Sequence, residues 1–333
     1  MKSRTAKIIN ILFLLLGAAL LTGLLVKLDL DEVWRHLVQV GWYFALAFFI
    51  FMVGLMLNAY GWMKIVDPRS SRARYRDFLA AFWVGYAINQ VTPGASLGEV
   101  LKGTILKGRI DSDSLIASLI SFNFLSTFVS QIFTLFGAAL CLVALDLPTD
   151  VILVLFGLAL IMFIPIGLLY LLLRWGIASR VVRLLSKIPF VRMRDPEALL
   201  AKARSVDKGI RELRSRRPGD FWIFIISLIA VKLTQVLELF ILLFALMPMH
   251  GLAFLLLLSL LAQTATQLLC WAATFVPGQI GVAEGFSALL FKLLGLDPIQ
   301  GFAMELVRRV RRLLSIGIGL AIGFWPRNTD DRR

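Results

Sequence analysis

Charged residues leave four long stretches of this chain untouched: residues 8–26, 41–63, 114–145 and 151–173, each of at least 19 residues. A helix needs about 20 apolar residues to cross a hydrocarbon layer about 30 Å thick, and inside that layer no water satisfies the backbone. The pattern therefore predicts membrane-spanning α-helices. Two further stretches, 221–246 and 299–325, have the length of a span but carry charge within them. The expected fold class is an all-α polytopic membrane protein with about six full transmembrane helices. Residues 8–26 follow Lys2, Arg4 and Lys7 as a signal peptide would. They exceed the usual apolar core of a signal and no small-x-small cleavage site precedes Lys27, so they count as a span.

Two apolar segments break this regularity. Residues 78–91 make about 21 Å of helix, too little to cross. They run into Thr92-Pro93-Gly94-Ala95-Ser96, then residues 97–106, then the basic Lys107-Gly108-Arg109. A short arm, a Pro-Gly break and a second short arm read as a re-entrant hairpin over 78–108. Irregular backbone at that depth is tolerated only where protein or a wet cavity surrounds it. The design recurs over 252–296, with Pro277-Gly278 as the break. Glu99 follows Gly94 by five positions and Glu284 follows Gly278 by six. The chain divides accordingly into a first transmembrane repeat (1–145), a connecting span (151–173), a basic cytoplasmic linker (174–220) and a second repeat (221–326). Hairpins approaching from opposite faces make these inverted repeats, an arrangement that puts substrate sites near the midplane of transporters. A full crossing by 252–275 is the competing reading, and it would reverse the orientation of everything after it.

The formal charge of +14 would suit a nucleic-acid binder, but its placement argues against one. Thirteen Lys/Arg fall within 174–217, five within 64–76 and three before Ile8, all beside apolar stretches. That excess marks the cytoplasmic side, and it attracts anionic headgroups. The expected location is a bacterial inner membrane, multi-pass, with both termini, 64–76 and the linker cytoplasmic. The two cysteines, Cys141 and Cys270, and the two histidines, His36 and His250, are too scattered for a metal site. No cofactor is expected, and no nucleotide-binding G-x-x-x-x-G-K-[ST] is present.

Charges inside the apolar segments are the candidate functional residues, because each is costly there. Arg308, Arg309, Arg311 and Arg312 occupy an arc of about 160° on one helix, with Glu305 inside the arc. Leu306, Val307, Val310, Leu313 and Leu314 cover the opposite face. A guanidinium fork matches phosphate bidentately, so one reading is a cationic lining for a phosphate headgroup. The other is a structural ion-pair network with Glu305, Glu238 and Glu284. Lys232 and Glu238 interrupt another span about 120° apart around the helix. Asn89, Gln90, Gln263 and Gln267 lie on the arms approaching the breaks, where hydrogen bonding between helices is their plainest role.

Three of these segments resemble the lysylphosphatidylglycerol synthase transmembrane-region family of flippase-like membrane proteins. The run from Asn89 to Glu99 with Lys102 after it is similar to the first signature, and Val276 to Gly285 to the second. Glu305-Leu306-Val307-Arg308-Arg309 resembles the last-span pattern, whose arginine falls on Arg309. Ala283 and Lys102 stand where the family commonly has Arg. The resemblance implies lipid flipping or support of lipid modification. It does not imply aminoacyl transfer, since synthase members carry a large soluble domain and this chain ends at Arg333. The expected function is a lipid translocator, not ATP-driven and not an enzyme, for an anionic phospholipid or polyprenyl-phosphate lipid. Its expected partners are that lipid and lipid-synthesis enzymes. The substrate-binding residues are Asn89, Glu99, Lys102, Lys232, Glu238, Glu284, Glu305, Arg308, Arg309 and Arg312, with turns at Pro93, Gly94, Pro277 and Gly278. The alternatives are a non-catalytic partner of a lipid-modifying complex and an intramembrane enzyme acting on a lipid-linked phosphate.

Overall fold

The structure, a computed structural model, describes residues 30–92, 97–145, 147–153, 156–157, 217–272 and 281–324. The expected span 8–26, most of 151–173, nearly all of the basic linker and the four Pro-Gly turn residues lie outside these. Within the described residues the regular elements are helices. They are α1 (Leu30–Val40), α2 (Tyr43–Ile65), α3 (Tyr75–Val91), α4 (Leu97–Leu106), α5 (Ser112–Ala144), α6 (Pro218–Leu246), α7 (Leu252–Ala272), α8 (Val282–Leu293) and α9 (Pro298–Phe324). The protein is an all-α polytopic membrane protein. Among the described residues α2, α5, α6 and the first 18 residues of α7 are long and apolar enough to cross a membrane. Large apolar side chains also face outward, Phe136, Val143, Ile226, Leu256 and Leu313 among them. A surface of that kind belongs in lipid.

The bundle is organised by α2 and α6, which pack antiparallel along their lengths. Gly54 lies against Thr234, and Gly61 against Ser227 and Phe224. Small residues let the two backbones approach where lipid tails offer no hydrophobic incentive to associate. Arg217 fastens one end by donating to the Lys64 and Val66 carbonyls (3.3 and 3.1 Å), where the C-terminus of α2 carries partial negative charge. Gln39 fastens the other by donating to the Ala245 carbonyl (2.8 Å). An aromatic core of Trp62, Phe78, Phe122 and Phe224 fills the basic end. An aliphatic core of Leu239, Leu242, Leu246, Leu255 and Leu258 fills the opposite end.

On this frame the chain makes the same sequence of helices twice. After α2 come α3 and α4, of 17 and 10 residues, and then the long α5; after α6 come α7 and α8, of 21 and 12 residues, and then the long α9. Contacts cross between the sets: Gly137 of α5 meets Thr264 of α7, and Gly319 of α9 meets Ala87 and Trp83 of α3.

The first pair of short helices starts three residues earlier than its apolar stretch, where the Asp77 carboxylate accepts the Arg74 amide (2.9 Å) and caps α3. It leaves and returns at the basic end. The Arg72 amide donates to the Arg109 carbonyl (2.8 Å), the Asp111 amide to the Ser70 carbonyl (3.0 Å), and Arg109 pairs with Asp77. The second pair leaves from Gly251 at the opposite end and returns there. Gly295, at φ +71°, closes α8: its amide donates to the Lys292 carbonyl (3.1 Å) and the Leu296 amide to the Phe291 carbonyl (2.9 Å). Asp297 then caps α9 through the Ile299 amide (2.9 Å) and faces His36 of α1 at 3.8 Å. Although α7 is long enough to span, α9 therefore still runs from the opposite end to the basic end.

The tightest joint is between α3 and α4, where a Cβ on Gly98 would lie 2.1 Å from the Gly85 carbonyl oxygen and 2.3 Å from Asn89 Oδ1. Gly98→Ala has to push two backbones apart and is expected to cost about 1–3 kcal/mol. Gly103→Ala, which meets only the end of the Leu119 side chain at 3.3 Å, is expected to cost less. Thermal melts of the purified protein in detergent compare them; equal midpoints for the two variants would contradict the packing described.

Candidate functional site

Two polar centres form where the short helices meet the long ones. The first gathers three residues predicted from sequence. Glu99, in the first turn of α4, accepts from Asn89 of α3 (3.1 Å) and from Lys102 one turn on (2.7 Å). Its other oxygen accepts from Asn123 of α5 (2.7 Å), a residue the sequence reading did not single out. The Lys102 ammonium is buried and stands 4.1 Å from the centre of the Phe82 ring and 5.8 Å from that of Phe122. A cation between aromatic faces with a carboxylate beside it is compensated on every side. This centre is electrically closed, and it ties α3, α4 and α5 together.

The second centre is built on the middle of α9. Arg309 reaches Glu284, in the first turn of α8. Glu284 is 0% exposed, and its second oxygen accepts the Gly281 amide at 3.0 Å, capping α8. Arg308 bonds Glu305 one turn back (2.5 Å), and Arg312 stands 3.7 Å from the other Glu305 oxygen. Glu238 arrives from α6, with its Oε1 2.8 Å from Arg311 Nε and 3.9 Å from Arg308 Nε. The Arg311 guanidinium lies 3.9 Å from the centre of the Phe51 ring of α2. Tyr86 of α3 is within electrostatic reach of Arg311, Arg312, Glu238 and Arg308. Five helices thus converge on one group of charges. Opposite them on α9, Val310, Leu313 and Leu314 are exposed, as the helical spacing predicts.

The ten predicted site residues divide between these centres with one remainder. Asn89, Glu99 and Lys102 make the first; Glu238, Glu284, Glu305, Arg308, Arg309 and Arg312 belong to the second. Lys232 donates to Gln235 at 3.4 Å, and Gln263 of α7 donates to the same oxygen at 3.2 Å. Pro93, Gly94, Pro277 and Gly278 lie outside the described residues. The sequence reading missed Asn123, which looks like any amide in a long apolar helix. It named Arg311 in the arc without assigning it a role, although Arg311 is the most buried of the four arginines. Its position beside Phe51 is a tertiary contact that no helical spacing reveals. The centres also correspond in chain order: Glu99 and Asn123 stand in the first set where Glu284 and Arg309 stand in the second.

Chemically, the second centre carries four guanidinium groups against three carboxylates. Arg311 is 6% exposed, and its Nη1 has no hydrogen-bond partner among the described residues. A buried donor without an acceptor is costly, and it fits a site made for an anion. Among the described residues no three His, Cys, Asp or Glu side chains gather as a metal site.

The sequence profile described as the lysylphosphatidylglycerol synthase TM region matches residues 8–319, nearly the whole chain. No curated protein and no solved structure matches it.

The two carboxylates at the helix starts differ in how much rests on them. Glu284→Gln breaks a fully buried pair and is expected to cost about 3–5 kcal/mol. Glu99 is 27% exposed, and its loss leaves the buried Lys102 ammonium to the Phe82 and Phe122 rings, so Glu99→Gln is expected to cost less, about 2–3 kcal/mol. Denaturation of the two variants in detergent measures the order, which a larger loss for Glu99→Gln would contradict.

Proposed function

Because the chain belongs to the lysylphosphatidylglycerol synthase TM region family, we propose that it moves an anionic, phosphate-bearing lipid between the leaflets of a bacterial inner membrane. The observation that carries this reading is the arginine centre of α9, cationic, buried between helices and flanked by a lipid-facing strip. A phosphate headgroup fits Arg308, Arg309, Arg311 and Arg312 through paired N–H bonds. Its tails stay outside the bundle, in the surrounding lipid. A protein that only needed a span would not hold four guanidinium groups there, each costing about 2.5–3.5 kcal/mol near the bilayer centre.

The two pairs of short helices are re-entrant hairpins in this reading, one from each face. Supporting it are the return of each pair to the end it left, the antiparallel packing of α2 on α6 and the exchange of contacts between the sets. The halves are then inverted repeats, and the polar centres sit at the inner tips of their hairpins. The basic end, with Lys64, Arg69, Arg72, Arg74 and Lys107, is the cytoplasmic one. Movement of the lipid is passive or coupled to ions. The Glu99–Lys102 pair braces the first hairpin while the arginine centre holds the headgroup.

Reconstitution into liposomes with fluorescent anionic lipids tests this. Wild type is expected to carry label across the bilayer faster than protein-free liposomes. Arg309→Lys keeps the charge but loses the fork, and is expected to slow transport by at least about tenfold, or about 1.4 kcal/mol of headgroup recognition. Chemical conversion of the lipid would replace this reading with that of an enzyme. Neither transport nor conversion would leave a non-catalytic partner of lipid-synthesis enzymes.

A further inference from the structure

The ion-paired network of α9 contains Arg308, Arg309, Arg311 and Arg312 with Glu238, Glu284 and Glu305, one positive charge more than it has negative. Two of the carboxylates are committed to their own helices. Glu305 shares α9 with the arginines it pairs with, and Glu284 caps α8 through the Gly281 amide (3.0 Å). Glu238 is different, because α6 brings it in from across the bundle. It is 2% exposed, and its Oε1 is 2.8 Å from Arg311 Nε yet receives no aligned hydrogen bond. It pairs with Arg311 through Nε, and Arg311 Nη1 is left without an acceptor among the described residues.

From this we infer that the carboxylates of the arginine site, Glu238 foremost, determine its headgroup specificity. They hold the network one charge positive, so that the site accepts headgroups with a single negative charge, such as a phosphodiester, and disfavours phosphomonoester dianions. The inference deepens the translocator reading and rests on it. In a region of low dielectric an uncompensated charge is strongly disfavoured. A singly charged phosphodiester brings the network to neutrality and supplies the acceptor that Arg311 Nη1 lacks. A dianion overshoots, and it meets the Glu238 carboxylate across the same two guanidinium groups. Removing that carboxylate leaves room for the second negative charge.

The test compares phosphatidylglycerol with phosphatidic acid at about pH 9, well above the second ionisation of a phosphate monoester near ~6. Binding to the purified full chain is read by protection against heating, and transport in liposomes is read alongside. Wild type is expected to favour phosphatidylglycerol. Glu238→Gln is expected to shift the ratio of the two affinities toward phosphatidic acid by at least about tenfold. Glu305→Gln removes a carboxylate elsewhere in the network, so it is expected to move the ratio the same way, and it serves if Glu238→Gln does not fold. Arg311→Gln, which makes the network neutral, is expected to weaken both lipids. Dimethyl phosphate, a phosphodiester without tails, is expected to compete only at far higher concentration; equal competition would overturn the assignment to a lipid. A ratio unmoved in both folded carboxylate variants overturns the inference, while wild-type transport of phosphatidylglycerol in that case leaves the translocator reading standing. Absence of transport overturns that reading instead, and a ratio that still moves supports the charge-matched site.

Discussion

Four guanidinium groups within five residues of one helix, surrounded by apolar side chains, have to be compensated from outside that helix. Glu305 alone shares α9 with them. The remaining compensation comes from Glu284 at the start of α8, Glu238 near the middle of α6 and the Phe51 ring on α2, with Tyr86 of α3 close by. Each of these side chains arrives only if its helix is in place. Breaking a buried ion pair is expensive because the surviving charge is left without a partner. The charge requirement therefore fixes how α2, α3, α6, α8 and α9 meet, beyond what apolar packing among lipid-solvated helices would dictate.

The rest of the architecture serves that convergence. Glycine contacts bring α2 and α6 close enough for Phe51 and Glu238 to face the same guanidinium. The Gly295 turn and the Asp297 cap return the chain to the end from which α9 can pass the arginines through the bundle. Across α3, the Glu99 centre uses one lysine and two asparagines where the α9 centre uses four arginines. The first pairs one cation with one carboxylate, and the second retains a buried donor among the described residues. In the proposed function that asymmetry separates a brace from a binding site.

Much of this was legible in the sequence, for identifiable reasons. Uncharged stretches of span length announced α2 and α5, and a stretch of span length interrupted by Lys232 and Glu238 announced α6, because a bilayer imposes length and apolarity together. The arc of arginines and the exposed strip behind it followed from 100° per residue. The breaks between paired short helices were visible as Pro-Gly clusters, and the family profile over 8–319 agrees with the motifs around them. Pairing between helices was not legible. Charge and spacing put Glu238, Glu284 and Glu305 within the arginines' company, but not which carboxylate met which arginine. Asn123 carried no charge to mark it, and the Arg311–Phe51 contact joins residues far apart in the chain. The expected substrate-binding residues divide into two centres, one joining α3, α4 and α5 and one built on α9.

The central claim is that the α9 arginines hold an anionic lipid. Native mass spectrometry of the protein extracted from its membrane in neutral detergent tests it most directly, since it weighs what stays bound. Wild type is expected to retain one anionic phospholipid per chain. The variant Arg311→Gln, which leaves three guanidinium groups to three carboxylates, is expected to emerge folded, by its melting transition, and without that lipid. A folded Arg311→Gln variant that keeps the same lipid at the same occupancy would contradict the account.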